Sequence, residues 1–247
     1  MTSQHPRVGV IVQARMGSTR LPGKVLMDIA GESMLARVIG RARLAASVDH
    51  VIVATTALPL DDSLAAHAVD LGVDVYRGSE SDVLDRYFQA ATVHHLDVVA
   101  RVTADCPLLD PAVLDTVIRA VTESEPTVNF AANTLDRTFP RGLDVEVVEM
   151  STLTRVWKAA TSASDREHVF PFIYRHRDEF TTVSVRHDVD WSHLRWTVDT
   201  PEDLELVRRV CHELGTAAFS WTDVLAVFDR HPELARINAG VVQKVAQ

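Results

Sequence analysis

Apolar residues along this chain follow two alternating rhythms. Short continuous apolar runs at 8–12, 51–55, 73–76 and 98–102 read as buried strands. Between them, apolar residues recur every three or four positions. Leu35, Val38, Ile39 and Ala42 form one such stripe behind Ser33, a suitable helix cap, with Arg37, Arg41 and Arg43 off the stripe and read as solvated. Residues 63–71, stopped at Gly72, and residues 82–95 form two more helices. Strands separated by helices imply right-handed crossovers, a mostly parallel sheet and helices on both faces, that is, a three-layer α/β/α Rossmann-like architecture. Ligands of such a sheet bind at the carboxyl ends of its strands.

From 127 to 190 the rhythm is less regular. Residues 128–131 and 143–148 predict strands, the second with Asp144 and Glu146 on one face; 151–160 and 165–177 predict helices. We read this stretch as a smaller mixed α+β insertion in a single domain spanning 1–247. A last strand at 194–198 delivers Asp199. Thr200-Pro201-Glu202-Asp203 then combines a hydroxyl cap, a proline at the first helical position and an acid three residues after the cap. Leu204, Val207, Val210 and Leu214, followed by 221–228, predict packing helices.

The chemistry concentrates where the predicted strands end. The first opens onto Gln13-Ala14-Arg15-Met16-Gly17-Ser18-Thr19-Arg20-Leu21-Pro22-Gly23-Lys24. Gly17 and Gly23 permit close backbone approach or positive φ, Pro22 stiffens the turn, and Arg15, Arg20 and Lys24 can neutralise a polyphosphate. It is not a Walker A loop, because five residues separate its glycines and Val25 follows the lysine. A solvated basic turn is the alternative. Asp110-Pro111 is explained as a helix cap and first helical residue, whereas Asp105, just after the fourth strand, is either a Mg²⁺ ligand or a turn aspartate. Asp199 is what helix capping leaves over. Asp144 and Glu146 fit metal or sugar contacts, or equally the wet side of a half-buried strand.

A net charge of −9 argues against general affinity for nucleic acid or an anionic membrane, so the cationic loop is a local exception. Cys106 and Cys211 are too few for a disulfide framework and lack a zinc spacing. The first apolar run is far shorter than a membrane span of ~18 residues. These features predict a soluble, cytoplasmic protein.

Ala14-Arg15-x-x-Ser18-x-Arg20-Leu21-Pro22-Gly23-Lys24-x-Leu26 and Ile29-x-Gly31-x-x-Met34 resemble the signature loop of the cytidylyltransferases that activate acidic sugars, the CMP-Kdo and CMP-acylneuraminate synthetases. Thr103-Ala104-Asp105-Cys106-Pro107, Pro140-Arg141-Gly142-Leu143-Asp144-Val145-Glu146, Asp165-Arg166-Glu167-His168 and Trp196-Thr197-Val198-Asp199-Thr200-Pro201 resemble the spore-coat polysaccharide biosynthesis protein F branch. The resemblance implies transfer of CMP from CTP to an acidic sugar with release of pyrophosphate. It implies Mg²⁺ on Asp105 and Asp199, with Arg15, Lys24, Asp105 and Asp199 catalytic. Ala14, Arg15, Gly17, Ser18, Arg20, Lys24 and Asp105 would surround the nucleotide, with Arg86 a lesser contact. Arg141, Asp144, Glu146, Arg166 and His168 would meet the acceptor, and 127–190 would hold the sugar subsite and the contact of a homodimer. Thr103-Ala104 departs from the usual Gln-Gly of the synthetases, which bears on the acceptor. A glycosyltransferase of the same fold is a rival, but Ala104-Asp105-Cys106 stands where an Asp-x-Asp would be needed; a non-catalytic nucleotide-binding protein is another.

Overall fold

A computed structural model describes residues 5–215 and 218–243. The elements in chain order are β1 (Val8–Gln13), the short pair β2 (Asp28–Ile29) and β3 (Glu32–Ser33), α1 (Met34–Arg43), β4 (His50–Thr56), α2 (Asp62–Asp70), β5 (Asp74–Gly78), α3 (Val83–Val93) and β6 (Val98–Thr103). They continue with α4 (Pro111–Thr122), β7 (Phe130–Ala132), β8 (Glu146–Glu149), α5 (Met150–Ala159), α6 (Ala163–His168), α7 (Pro171–Arg175), β9 (Thr182–Ser184), α8 (Pro201–Leu214) and α9 (Trp221–Arg230). Seven strands form one sheet in the order β5-β4-β1-β6-β8-β7-β9. Only β8 runs against the others.

Alternate residues of each strand feed separate cores, as the two-residue period of a strand requires. Val8, Val10 and Val12 pack with Leu35 and Ile39 of α1 and Leu114 and Val117 of α4. Ile11, Ile52 and Val99 face the other way, onto Leu84 and Tyr87 of α3 and Leu153 of α5. A third cluster joins Trp196 and Val198 to α8 and α9. The sheet is therefore covered on both faces, as expected for parallel strands.

Strand order explains where a ligand belongs. From β1 the chain moves outward to β4 and β5, then returns to place β6 on the other side of β1. The crevice between the carboxyl ends of β1 and β6 is thus a topological switch point. Gln13 and Thr103 are register partners there, and Ala104 N–H donates to the Gln13 carbonyl at 3.0 Å.

Several elements differ from the sequence reading. Residues 194–198 form no strand; a single parallel bridge joins Arg141 to Arg195. Hydrogen bonds from Trp196 N to Arg141 O at 2.7 Å and from Val198 N to Asp105 O at 2.8 Å hold the segment instead. The strand expected at 143–148 begins only at Glu146, because Asp144 is held in the preceding turn by Arg137 at 2.5 and 2.7 Å. The helix expected at 165–177 is broken into α6 and α7, with Val169 at φ 76° and Pro171 opening the second piece. Ser162 caps the first piece, and buried Asp165 accepts from Arg175 at 2.6 and 2.7 Å. Arg41 is buried, donating to the carbonyls of Leu109 and Phe219, so it is not a solvated arginine. Arg37 also turns inward, to the Ile29 carbonyl.

Candidate active site

The loop after β1 is shaped by its own backbone. Gly23 N–H returns to the Met16 carbonyl at 3.0 Å, and Gly23 takes φ 70° at the head of the short helix starting at Lys24. Of the two glycines in this loop only Gly23 needs its conformational freedom; Gly17 is not left-handed, and a Cβ there would meet nothing nearer than Leu60 at 3.9 Å. Met16 N–H is tied to Asp61, which fixes the loop against the end of β4.

Asp105 and Asp199 meet because the 194–198 segment lies across the tip of β6. Gly142, at φ 107°, permits this approach: a Cβ there would lie 2.7 Å from the backbone of Trp196 and Thr197. Both carboxylates converge on one ammonium, with Lys24 Nζ 2.8 Å from Asp105 Oδ2 and 2.9 Å from Asp199 Oδ1. Arg20 and Arg195 reach Asp199 Oδ2 at 2.9 and 2.8 Å. Burial acts to raise the Asp199 pKa, but Lys24, Arg195 and Arg20 hold its carboxyl below the ordinary range. Arg195 is fixed in turn by both oxygens of fully buried Asp203, which closes the capping box with Thr200 at the start of α8.

Two adjoining cavities share this cluster. The smaller, about 330 Å³, is lined by Ala14, Arg15, Ser18, Arg20, Lys24 and Glu167, together with Asp105 and Asp199. The larger, about 780 Å³, also contains Arg20, Asp105 and Asp199 and extends to Arg141, Asp144, Glu146 and His168. Arg141 makes no side-chain hydrogen bond or ion pair among the described residues, and burial with the nearby Arg137 lowers its pKa. The acids in the larger cavity are engaged: Asp144 with Arg137, and buried Glu146 with Arg101 and the Tyr174 hydroxyl. Glu146 is therefore the inner half of a cross-strand pair, since Arg101 and Glu146 are register partners on β6 and β8.

Three expected residues lie elsewhere, and the first, Gly17, lines neither cavity. Arg166 is spent on Asp82 at 2.5 and 2.9 Å and on the Trp157 carbonyl, and lines neither cavity. Arg86, 1% exposed, lies on α3 beneath Gly78, where a Cβ would be 2.8 Å from its Cγ. Among the described residues none of its guanidinium nitrogens has a hydrogen-bond partner, and neither has the buried Thr55 hydroxyl on β4. Conversely, Arg101, Tyr174 and Arg175 line the larger cavity without having been singled out. Arg101 could have been found, because an arginine inside the apolar run of a central parallel strand needs a buried partner or a ligand.

Among the described residues no three or more His, Cys, Asp or Glu side chains gather into a metal cluster. Asp105 and Asp199, two hard carboxylates already sharing one cation, fit an ion such as Mg²⁺ that takes its remaining ligands from water and phosphate.

Residues 9–220 match the family model described as cytidylyltransferase. The chain belongs to that family. This cytidylyltransferase is 32% identical over 235 residues to the spore coat polysaccharide biosynthesis protein SpsF of Bacillus subtilis, covering 91% of this chain and 95% of that protein. A 3-deoxy-manno-octulosonate cytidylyltransferase of Anaeromyxobacter is 37% identical over 153 residues, 61% of this chain and 57% of its own length. A solved cytidylyltransferase from Leptospira borgpetersenii superposes with a TM-score of 0.91 at 31% identity, covering 98% of this chain and all of that one. The seven-stranded fold is thus that of the family's Rossmann-like nucleotidyltransferases.

Proposed function

We propose that this cytidylyltransferase transfers CMP from CTP to a hydroxyl of an acidic sugar or similar acidic acceptor, releases pyrophosphate, and depends on Mg²⁺. The observation that carries the reading is the pair of cavities joined at Asp105, Asp199 and Arg20. One is walled by the cationic loop, which suits a triphosphate; the other has room for an acceptor. A phosphoryl centre at the junction would face both.

In this reading Arg15, Arg20 and Lys24 hold the triphosphate and stabilise charge on the departing pyrophosphate. Asp105 and Asp199 would hold Mg²⁺, which supplies charge neutralisation at the α-phosphate and alignment of the attacking oxygen. Among the described residues the buried guanidinium of Arg86 and the Thr55 hydroxyl lack hydrogen-bond partners, which supports a role in taking up polar groups of the nucleotide. Arg141 is the candidate to grip the acceptor carboxylate, since a guanidinium binds one bidentately. That His168 and Tyr174 reach the larger cavity supports reading 127–190 as the acceptor-binding insertion of one domain. The name of the Anaeromyxobacter relative, which refers to a sugar acid, supports the same acceptor class.

The test is pyrophosphate release from CTP with Mg²⁺ across a panel of sugar acids, hydroxy acids and their neutral analogues. The reading requires release with carboxylated acceptors and little with the neutral ones. Equal rates with neutral acceptors, or with ATP in place of CTP, would overturn it.

A further inference from the structure

The three donors of the Lys24 ammonium are already spent. Nζ donates to Asp105 at 2.8 Å, to Asp199 at 2.9 Å and to the Val198 carbonyl at 2.7 Å, which leaves none for a phosphate oxygen. Lys24 is also buried, at 7% exposure, with its aliphatic stem enclosed. The two carboxylates suited to a metal therefore hold a cation that belongs to the protein.

Charge balance points the same way. Lys24, Arg20 and Arg195 stand against Asp105, Asp199 and Asp203, three cations for three carboxylates. Such a cluster has no net negative charge to draw a divalent ion from water. Its cations are not equally fixed, however. Arg195 is clamped by both oxygens of Asp203, which also accepts from Asn238 at 2.9 Å. Lys24 and Arg20 come from the loop that walls the nucleotide-side cavity.

Resting on the proposed reaction, we infer that Lys24 keeps the cation position between Asp105 and Asp199 in the free enzyme, so that metal is taken up together with the triphosphate and not before it. When the nucleotide arrives, Lys24 gives up the carboxylates for phosphate oxygens, and the carboxylates become free to bind the ion. Neither partner is left unpaired in this exchange. Leaving it unpaired would be costly, since a buried charge stripped of its partner is strongly destabilising. Arg195 stays on Asp199 throughout.

The test uses Mn²⁺ as the probe, followed by electron paramagnetic resonance on the full-length enzyme without nucleotide. Lys24→Met keeps the stem and removes the charge; it should bind Mn²⁺ at least about tenfold more tightly than the wild type, about 1.4 kcal/mol. Adding Asp105→Asn to Lys24→Met should abolish that gain. Lys24→Gln is run beside it in case methionine prevents folding, with melting curves for every variant. Equal Mn²⁺ affinity in the wild type and the folded Lys24 variant would overturn the inference, as would tight binding by the nucleotide-free wild type. Pyrophosphate release by the wild type is measured separately: its absence would remove the reaction, whereas its presence with equal Mn²⁺ affinities would remove the exchange alone.

Discussion

Asp203 shows how a residue with an ordinary local explanation can also support a site. It closes a capping box, as the sequence pattern predicts, and the same carboxylate clamps Arg195 behind Asp199. Replacing it with Asn should cost roughly 3 kcal/mol in urea unfolding, because Arg195 would be left partly unpaired in a buried setting. Acid titration gives a second handle. Burial acts to raise the Asp203 and Asp199 pKa values, but their arginine, lysine and hydrogen-bond partners lower both below the ordinary 3.8. The stability they contribute is therefore present above pH 3.8 and is lost as pH falls through their lower folded values. Lys24 behaves in the opposite sense: burial opposes its charge, but Asp105 and Asp199 raise its pKa above 10.5, so its share persists below that pH and is lost above it. Urea unfolding across pH should show a plateau between these limits, and a steep loss near pH 7 would contradict the cluster. For catalysis, Lys24→Ala should lower kcat as well as affinity, by ~10²-fold or about 3 kcal/mol, if its contact strengthens as the leaving group charges. Arg209, an exposed helix residue paired with Glu205, is the control; Arg209→Ala should cost less than about 1 kcal/mol. Comparable small effects in steady-state kinetics would make the loop a diffuse attractant.

The elements were legible where one rhythm ran long enough. β1, β4 and β6 and the helices beside them fall where apolar runs and helical stripes place them, because strands buried on both faces are continuously apolar, while β5, a half-exposed edge strand, lies within a residue or two of the run at 73–76. Legibility failed where tertiary contacts set the backbone. The 194–198 segment has strand-like composition but is held by its bonds to Arg141 and Asp105, whereas the break at Val169 lies just ahead of Pro171, a local signal that the reading of one continuous helix passed over. The burial of Arg41 was equally hidden, since its carbonyl partners, Leu109 and Phe219, lie far along the chain. Gly142 is the element-scale joint: it lets the Arg141 bridge approach the segment that carries Asp199. Gly142→Ala combines positive φ with a contact 2.7 Å from backbone atoms, so it should destabilise the fold by roughly 2–5 kcal/mol. Chemical denaturation showing a change under about 1 kcal/mol would mean that the segment can shift without cost.

Across the whole molecule, topology decides what the sequence can only suggest. A reversal of strand order at β1 brings Gln13 beside Thr103, and the loop after one strand thereby faces the aspartate after the other. Asp105 could be singled out in the sequence because capping did not account for it, and Asp199 for the same reason. Their sharing of one ammonium could not, because it depends on a contact across 175 positions. The acceptor side was less legible: Arg101 and Tyr174 enter the cavity through a cross-strand pair and a broken helix, while Arg166 turns away to Asp82. The proposed reaction rests on the junction of the two cavities holding the α-phosphate. It is tested most directly by incubating the enzyme, Mg²⁺ and an acidic acceptor with CTP labelled at the α- or the γ-phosphorus and following the label. The proposed reaction puts α-label on the acceptor and γ-label in pyrophosphate; γ-label on the acceptor, or α-label released as free CMP with no acceptor product, would contradict it.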